Sequence, residues 1–217
     1  MLHNTDPRFL RVRENLRLAV FKLALEKPVE EITVAELTRE AGISRTTFYK
    51  HGSSPAQFIS EIIIEELEPH LNKMSAIMAE PTSDYLVHWR DVYADILIAL
   101  KENKEIYVPM FSQGAASGIL GYVISYLSGF YEDYVQLFEQ HVANDITPLW
   151  KEMAVTQQVH NFLAVVGAWC RHDCAEDPIM VVNTYLSLAP PWQLARFDSD
   201  GKTFLGRSLR FLESTKR

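Results

Sequence analysis

Residues 32–51 read ITVAELTREAGISRTTFYKH, and this stretch decides the fold. Thr33 is a good N-cap, and Glu36 three residues later completes a capping box, in which each residue's side chain satisfies the other's backbone amide. Val34, Leu37 and Ala41 recur at helical spacing, and Gly42 then breaks the pattern, as the turn of a helix-turn-helix does. Ser44 caps a second helix, RTTFYKH. Phe48 is its large, purely apolar residue and is expected to point inward with Ile43, whereas Arg45, Thr46, Thr47, Tyr49, Lys50 and His51 are donors or cations. So short a helix is marginal alone. It makes sense docked on a neighbour, with its polar face offered to a polyanion. Two readings fit. One is a recognition helix whose N-terminal side chains reach base edges while hydroxyls and cations hold phosphates. The other is a surface helix that is merely polar.

The longer run RVRENLRLAVFKLALEKPVEEITVAELTREAGISRTTFYKH, residues 11–51, resembles the DNA-binding domain of the TetR family of transcriptional regulators. The matching elements are a basic-headed first helix, I-T-V at the start of the second, A-G-I-S at the turn and T-F-Y-x-H in the third. Together they cover about the first quarter of the chain. The resemblance implies that Thr33, Arg45, Thr47, Tyr49 and His51 face double-stranded DNA, with Ser44 at the cap. Arg45 and Thr46 are then the candidates for base readout, and Tyr49, Lys50 and His51 for phosphate. After His51 the family pattern has an aromatic residue, and a lysine follows three residues later; this chain has Gly52 and Pro55 there. That lysine helps hold the DNA backbone, and each lost phosphate contact lowers the salt slope of binding by roughly one unit.

The formal net charge of −7 sits oddly with a polyanionic partner until it is divided: residues 1–52 carry +2 and residues 53–217 carry −9. A basic face on an acidic body orients a protein at DNA and limits non-specific sticking. With 217 residues the chain has room for one large domain or two small ones, and 47% apolar composition is enough for a real core. No apolar run of 18 residues occurs, so no membrane span is expected. The N-terminus lacks the shape of a signal peptide, and a cytoplasmic protein is the expectation.

Helical periodicity runs through the rest. Residues 8–26 read as the first helix, with Arg8, Arg11, Arg13 and Arg17 crowding its start. Cations there oppose the helix dipole, so these arginines await an anionic partner or are simply solvated. A helix from Pro55 to about Leu67 should end or kink at Pro69, with a second piece through Met78. Further helices are expected over 83–103, 114–143, 150–171 and 178–188, a short segment interrupted by Pro109 over 104–111, and a basic amphipathic helix from Thr203. The fold class is all-α. A three-helix helix-turn-helix head, residues 1–54, precedes a larger helical body, residues 55–217.

In the family such a body binds a small-molecule effector and forms a homodimer. The last two long helices pair across a two-fold axis, which here implies Val159, Phe162, Leu163 and Val166 as the contact face, with Gly167 allowing close approach; packing within one subunit is the alternative. Trp89, Tyr93, Tyr122 and Tyr126 are the effector-pocket candidates, although aromatics at helical spacing also build ordinary core. Gly114, Gly118 and Gly121 suggest close helix packing or room for a ligand.

Catalytic motifs are missing from the sequence: it has no G-x-S-x-G, phosphate loop or H-E-x-x-H. Cys170 and Cys174 would share a helix face with His172 turned away, which leaves too few ligands for a metal. Helical i,i+4 spacing also sets their β-carbons too far apart for a disulfide. No cofactor, metal or enzyme activity is expected. The expected function is a homodimeric regulator, typically a repressor, released from a palindromic operator by a small-molecule effector. The alternative is an interaction protein on the same fold, controlled by a protein partner or weakened in DNA binding.

Overall fold

The computed structural model describes residues 6–112, 118–142 and 146–203. Most helices begin where the sequence supplies a side-chain oxygen to a free first-turn amide. Asp6 caps α1 (Pro7–Ala24), Thr33 caps α2 (Val34–Glu40) and Ser44 caps α3 (Arg45–Phe48). Ser54 caps α4 (Pro55–Ala79). After α5 (Tyr85–Glu102), α6 (Lys104–Ser112) and α7 (Gly118–Glu139), Thr147 caps α8 (Pro148–Arg171) and Asp177 caps α9 (Pro178–Leu188). Proline sits in the first turn of α1, α4, α8 and α9, where its missing amide costs nothing. Among the described residues there is no strand, only a single parallel bridge between Val142 and Thr203.

Two prolines expected to interrupt helices do not. α4 runs unbroken through Pro69, and α6 contains Pro109. An interior proline loses one backbone hydrogen bond and crowds the preceding turn. In α4 that cost is met by burial on both sides of it: Ile62, Ile63 and Leu67 before the proline, Leu71, Met74 and Met78 after it.

α4 joins the two parts of the molecule. Its first turn brings Phe58 against Phe48, ring centroids 6.4 Å apart, and so completes the small core of α1–α3. The rest of it packs on α5 and α7; α8 packs on α6 and α7, and α9 on α5. Beyond α9 the chain folds back over the body. Trp192 and Phe197 are buried against Phe138, and His141 Nδ1 lies 2.9 Å from the Gly201 carbonyl. The amphipathic helix expected from Thr203 lies outside the described residues.

Glycines corrected two expectations. Gly118 and Gly121 are exposed, with open space where a β-carbon would stand, so they serve neither close packing nor a pocket; Gly114 lies outside the described residues. A β-carbon on Gly167 would stand 3.4 Å from the Phe111 carbonyl oxygen. The close approach it allows is therefore between α8 and α6 of one chain.

Candidate nucleic-acid interface

The turn between α2 and α3 is built by Gly42, at φ +67°, and by the Ile43 amide, which donates to the Thr38 carbonyl at 3.0 Å. α3 is shorter than RTTFYKH suggested: after Phe48 the backbone tightens into turns, with the amides of His51 and Gly52 both donating to the Phe48 carbonyl. Phe48 is completely buried. Burying a side chain of that size stabilises by about 1.5–3 kcal/mol, which is what holds so brief a helix in place.

On the outer side, Ser44 accepts the Thr47 amide at 3.0 Å and shares a hydrogen bond with the Thr47 hydroxyl at 2.8 Å. Arg45, Thr46, Tyr49 and Lys50 are exposed, and no Asp or Glu occurs between Glu40 and Glu61. Arg8, Arg11, Arg39, Arg45 and Lys50 are exposed and enter no ion pair among the described residues. Thr33 is exposed, with its hydroxyl donating to Glu36 at 2.6 Å, and Lys27 donates to the same carboxylate at 2.7 Å. The Lys27 and Thr33 hydrogen bonds hold the Glu36 carboxyl at about 2.

His51 is a correction. Its ring stacks on Phe9, centroids 4.0 Å apart, and the residue is buried, with Nδ1 unpaired. Burial, reinforced by the Arg13 and Lys50 charges, lowers its pKa, so the imidazole is an uncharged packing element of the α1–α3 unit. Arg13 and Arg17 are a second correction. Their anionic partners lie within the chain: Arg13 pairs with Glu61 at 3.3 Å and Glu65 at 2.6 Å, and Arg17 with Glu66 at 3.0 Å. Glu66 also accepts the hydroxyl of buried Tyr107 on α6, so an α1 arginine reaches the body through one carboxylate. Gly52 and Pro55, the departures after His51, serve the next helix. A β-carbon at Gly52 would touch Phe58 at 3.4 Å, and Pro55 opens α4.

In the body, the aromatic candidates do not come together. Trp89 and Tyr93 are buried and stacked, centroids 4.9 Å apart, in a cluster with Tyr185, whereas Tyr122 is exposed and Tyr126 half-buried on α7. The proposed dimer face also turns. Val159, Phe162 and Val166 are buried inside the single chain, facing the core; of that set only Leu163 is half-buried. The outward faces of α8 and α9 instead present Ala164, Ala168, Met180 and Leu188 around a groove of about 500 Å³ between the two helices, and Leu149 and Met153 are exposed nearer the start of α8. Residue spacing could not say which apolar face of α8 is covered by its own chain.

The two cysteines differ from expectation as well. α8 ends at Arg171, and Cys174 turns back at φ +51°, its amide donating to the Trp169 carbonyl at 3.0 Å. Its thiol lies 4.0 Å from that of Cys170. Both are free and buried, and burial pushes the Cys170 thiol up to about 12, which leaves it unreactive.

Residues 87–189 match the family model described as a transcriptional regulator C-terminal region. No curated protein matches the chain by sequence. Among solved structures, the fatty acid degradation regulator FadR from Bacillus halodurans superposes with a TM-score of 0.59 at 13% identity, covering 85% of this chain and 95% of its own. NalD from Pseudomonas aeruginosa, the secondary repressor of the MexAB-OprM multidrug efflux pump, gives 0.57 at 17%, over 83% and 95%. Thermus thermophilus FadR, a TetR-family repressor in complex with lauroyl-CoA, gives 0.56 at 19%, over 81% and 92%. At these identities the likeness to each structure is one of fold.

Proposed function

We propose that the chain is a TetR-family transcriptional regulator, a reading supported by its all-helical fold and by the sequence of its C-terminal region, and that it is a homodimeric repressor released from a palindromic operator by a small-molecule effector. Residues 1–54 serve as the DNA-binding head and residues 55–217 as the effector-binding and dimerisation body. The observation that carries the reading is the carboxylate-free outer face of α3. Arg45, Thr46, Tyr49 and Lys50 project from a helix pinned by Phe48, within a chain that is acidic elsewhere. Ser44 and Thr47 satisfy each other and set the pitch of that face, and Thr33 stands at the start of α2. Arg45 and Thr46 reach base edges, and Tyr49 and Lys50 hold phosphate.

Dimerisation is assigned to the outer faces of α8 and α9. Large exposed side chains there (Met180 and Leu188) flank Ala164 and Ala168, whose small size lets a partner's helices approach. Two heads set about 34 Å apart would read successive grooves of one duplex and roughly add their binding free energies.

A gel-shift titration on the promoter upstream of its own gene tests this. Palindrome-specific binding that weakens with salt is the expected result. Arg45→Ala should relax preference at one base position by about 1–3 kcal/mol, and Lys50→Ala should weaken all sites alike and flatten the salt slope by about one unit. If both variants bind as wild type does, α3 is not the reading head. Pro55 in place of a lysine favours a second reading, an interaction protein with weakened DNA binding. The same titration decides it: no palindrome preference at any salt concentration supports that alternative.

A further inference from the structure

The interior of the body, among the described residues, contains polar groups but no charge. Among the described residues no Lys, Arg, Asp or Glu is buried; the buried polar side chains of the body are Ser60, Gln158, Gln193 and Thr203, together with a group of tyrosines. That group is continuous. Tyr93 stacks on Tyr185 with centroids 5.6 Å apart, and the Tyr85 and Tyr134 hydroxyls bond each other. Tyr185 donates to Gln193, and the Gln158 side chain lies beside Tyr131 and Tyr185. Two atoms are left over. The Tyr93 hydroxyl and Gln158 Oε1 have no partner, on residues only 1% and 2% exposed. A buried polar atom without a hydrogen bond is costly, and one that persists calls for a use.

We propose that the effector is an uncharged, flat aromatic molecule carrying a hydroxyl or amide, seated beside Trp89, Tyr93 and Tyr185 and hydrogen-bonded to the Tyr93 hydroxyl and Gln158 Oε1. This rests on the effector-responsive reading above and adds the ligand's class and its polar contacts. The rings offer offset and edge-on stacking for a flat guest. Burying a carboxylate or phosphate where no cation can neutralise it carries a large desolvation penalty, which excludes polyanionic ligands from this interior. The Tyr185–Gln193 hydrogen bond ties segment 190–203 to the cluster, and a guest would have to displace that segment to enter.

The test uses the full chain with a panel of uncharged phenols and aryl amides, ortho-phenylphenol among them, against ortho-phenylbenzoate and lauroyl-CoA. Melting temperature, calorimetric Kd and operator release are read for wild type and Tyr93→Phe. An uncharged probe should raise the melting temperature and release operator, while the two anions do neither. Tyr93→Phe should leave the ligand-free melting temperature equal or higher, because it removes an unpaired hydroxyl, and yet weaken binding of the uncharged probe about tenfold. A residue that only packs would not show that split. A lowered melting temperature with unchanged Kd overturns the inference, as does a panel in which only the anions, or no molecule, bind. Release of operator by an anion alone would leave the effector reading standing; uncharged probes that bind here without changing operator affinity would overturn that reading and leave the site.

Discussion

The Thr33 hydroxyl donates to Glu36 and accepts the Glu36 amide, and Lys27 grips the same carboxylate. Thr33→Ala therefore removes a cap as well as a candidate DNA contact, and a loss of about 1 kcal/mol is expected in chemical denaturation. Glu36 makes the arrangement pH-dependent. Its carboxyl drops from an ordinary 4.5 to about 2 in the folded chain, so its contribution is complete above 4.5 and disappears as pH falls toward 2. The stability gap between wild type and Glu36→Gln should be constant near neutrality and close across that window; a gap that persists at the acid end would contradict the assignment. The capping box was legible in the sequence because its partners lie within one turn. Lys27 was not, because a 3-10 turn at Val29–Glu31 is needed to bring it round. His51 was misread for a related reason: its chemistry matches that of its exposed neighbours, and only the fold brings Phe9 onto its ring.

At the scale of elements, caps and prolines marked the helices well, α9 down to its residues, because these signals are local. Faces were harder to read. α8 carries apolar residues inward at Val155, Val159, Phe162 and Val166 and outward at Leu149 and Met153, and periodicity gives both stripes the same signature. Gly167 distinguishes the packing within the chain. A β-carbon there meets a backbone carbonyl of α6, which cannot swing aside as a side-chain end can. Gly167→Leu should push α6 off α8 and destabilise by about 1–3 kcal/mol, whereas Gly121→Ala, facing open space, should be neutral or slightly stabilising by helix propensity. Equal melting temperatures for the two variants would remove Gly167 from the α6–α8 contact.

At the scale of the whole molecule, the proposed DNA contacts lie on α3 and the proposed self-contact on α8 and α9, where Met180 and Leu188 are exposed. Ala168→Glu or Leu188→Glu should give monomers in light scattering with unchanged helical content, and weak operator binding should follow. Phe162→Ala, by contrast, should cost about 3–5 kcal/mol because it opens a void in the core. If the charged variants remain dimers, the interface lies elsewhere. α4 adds a mechanical consequence. Its 25 residues run uninterrupted past Pro69, a rod of about 37 Å at about 1.5 Å per residue. Tilting such a lever by about 10° where α5 and α7 pack on it would carry its far tip about 6 Å, nearly two base steps at about 3.4 Å each. A break in the helix at the proline would absorb such a stroke; a continuous helix would carry it on to α1–α3.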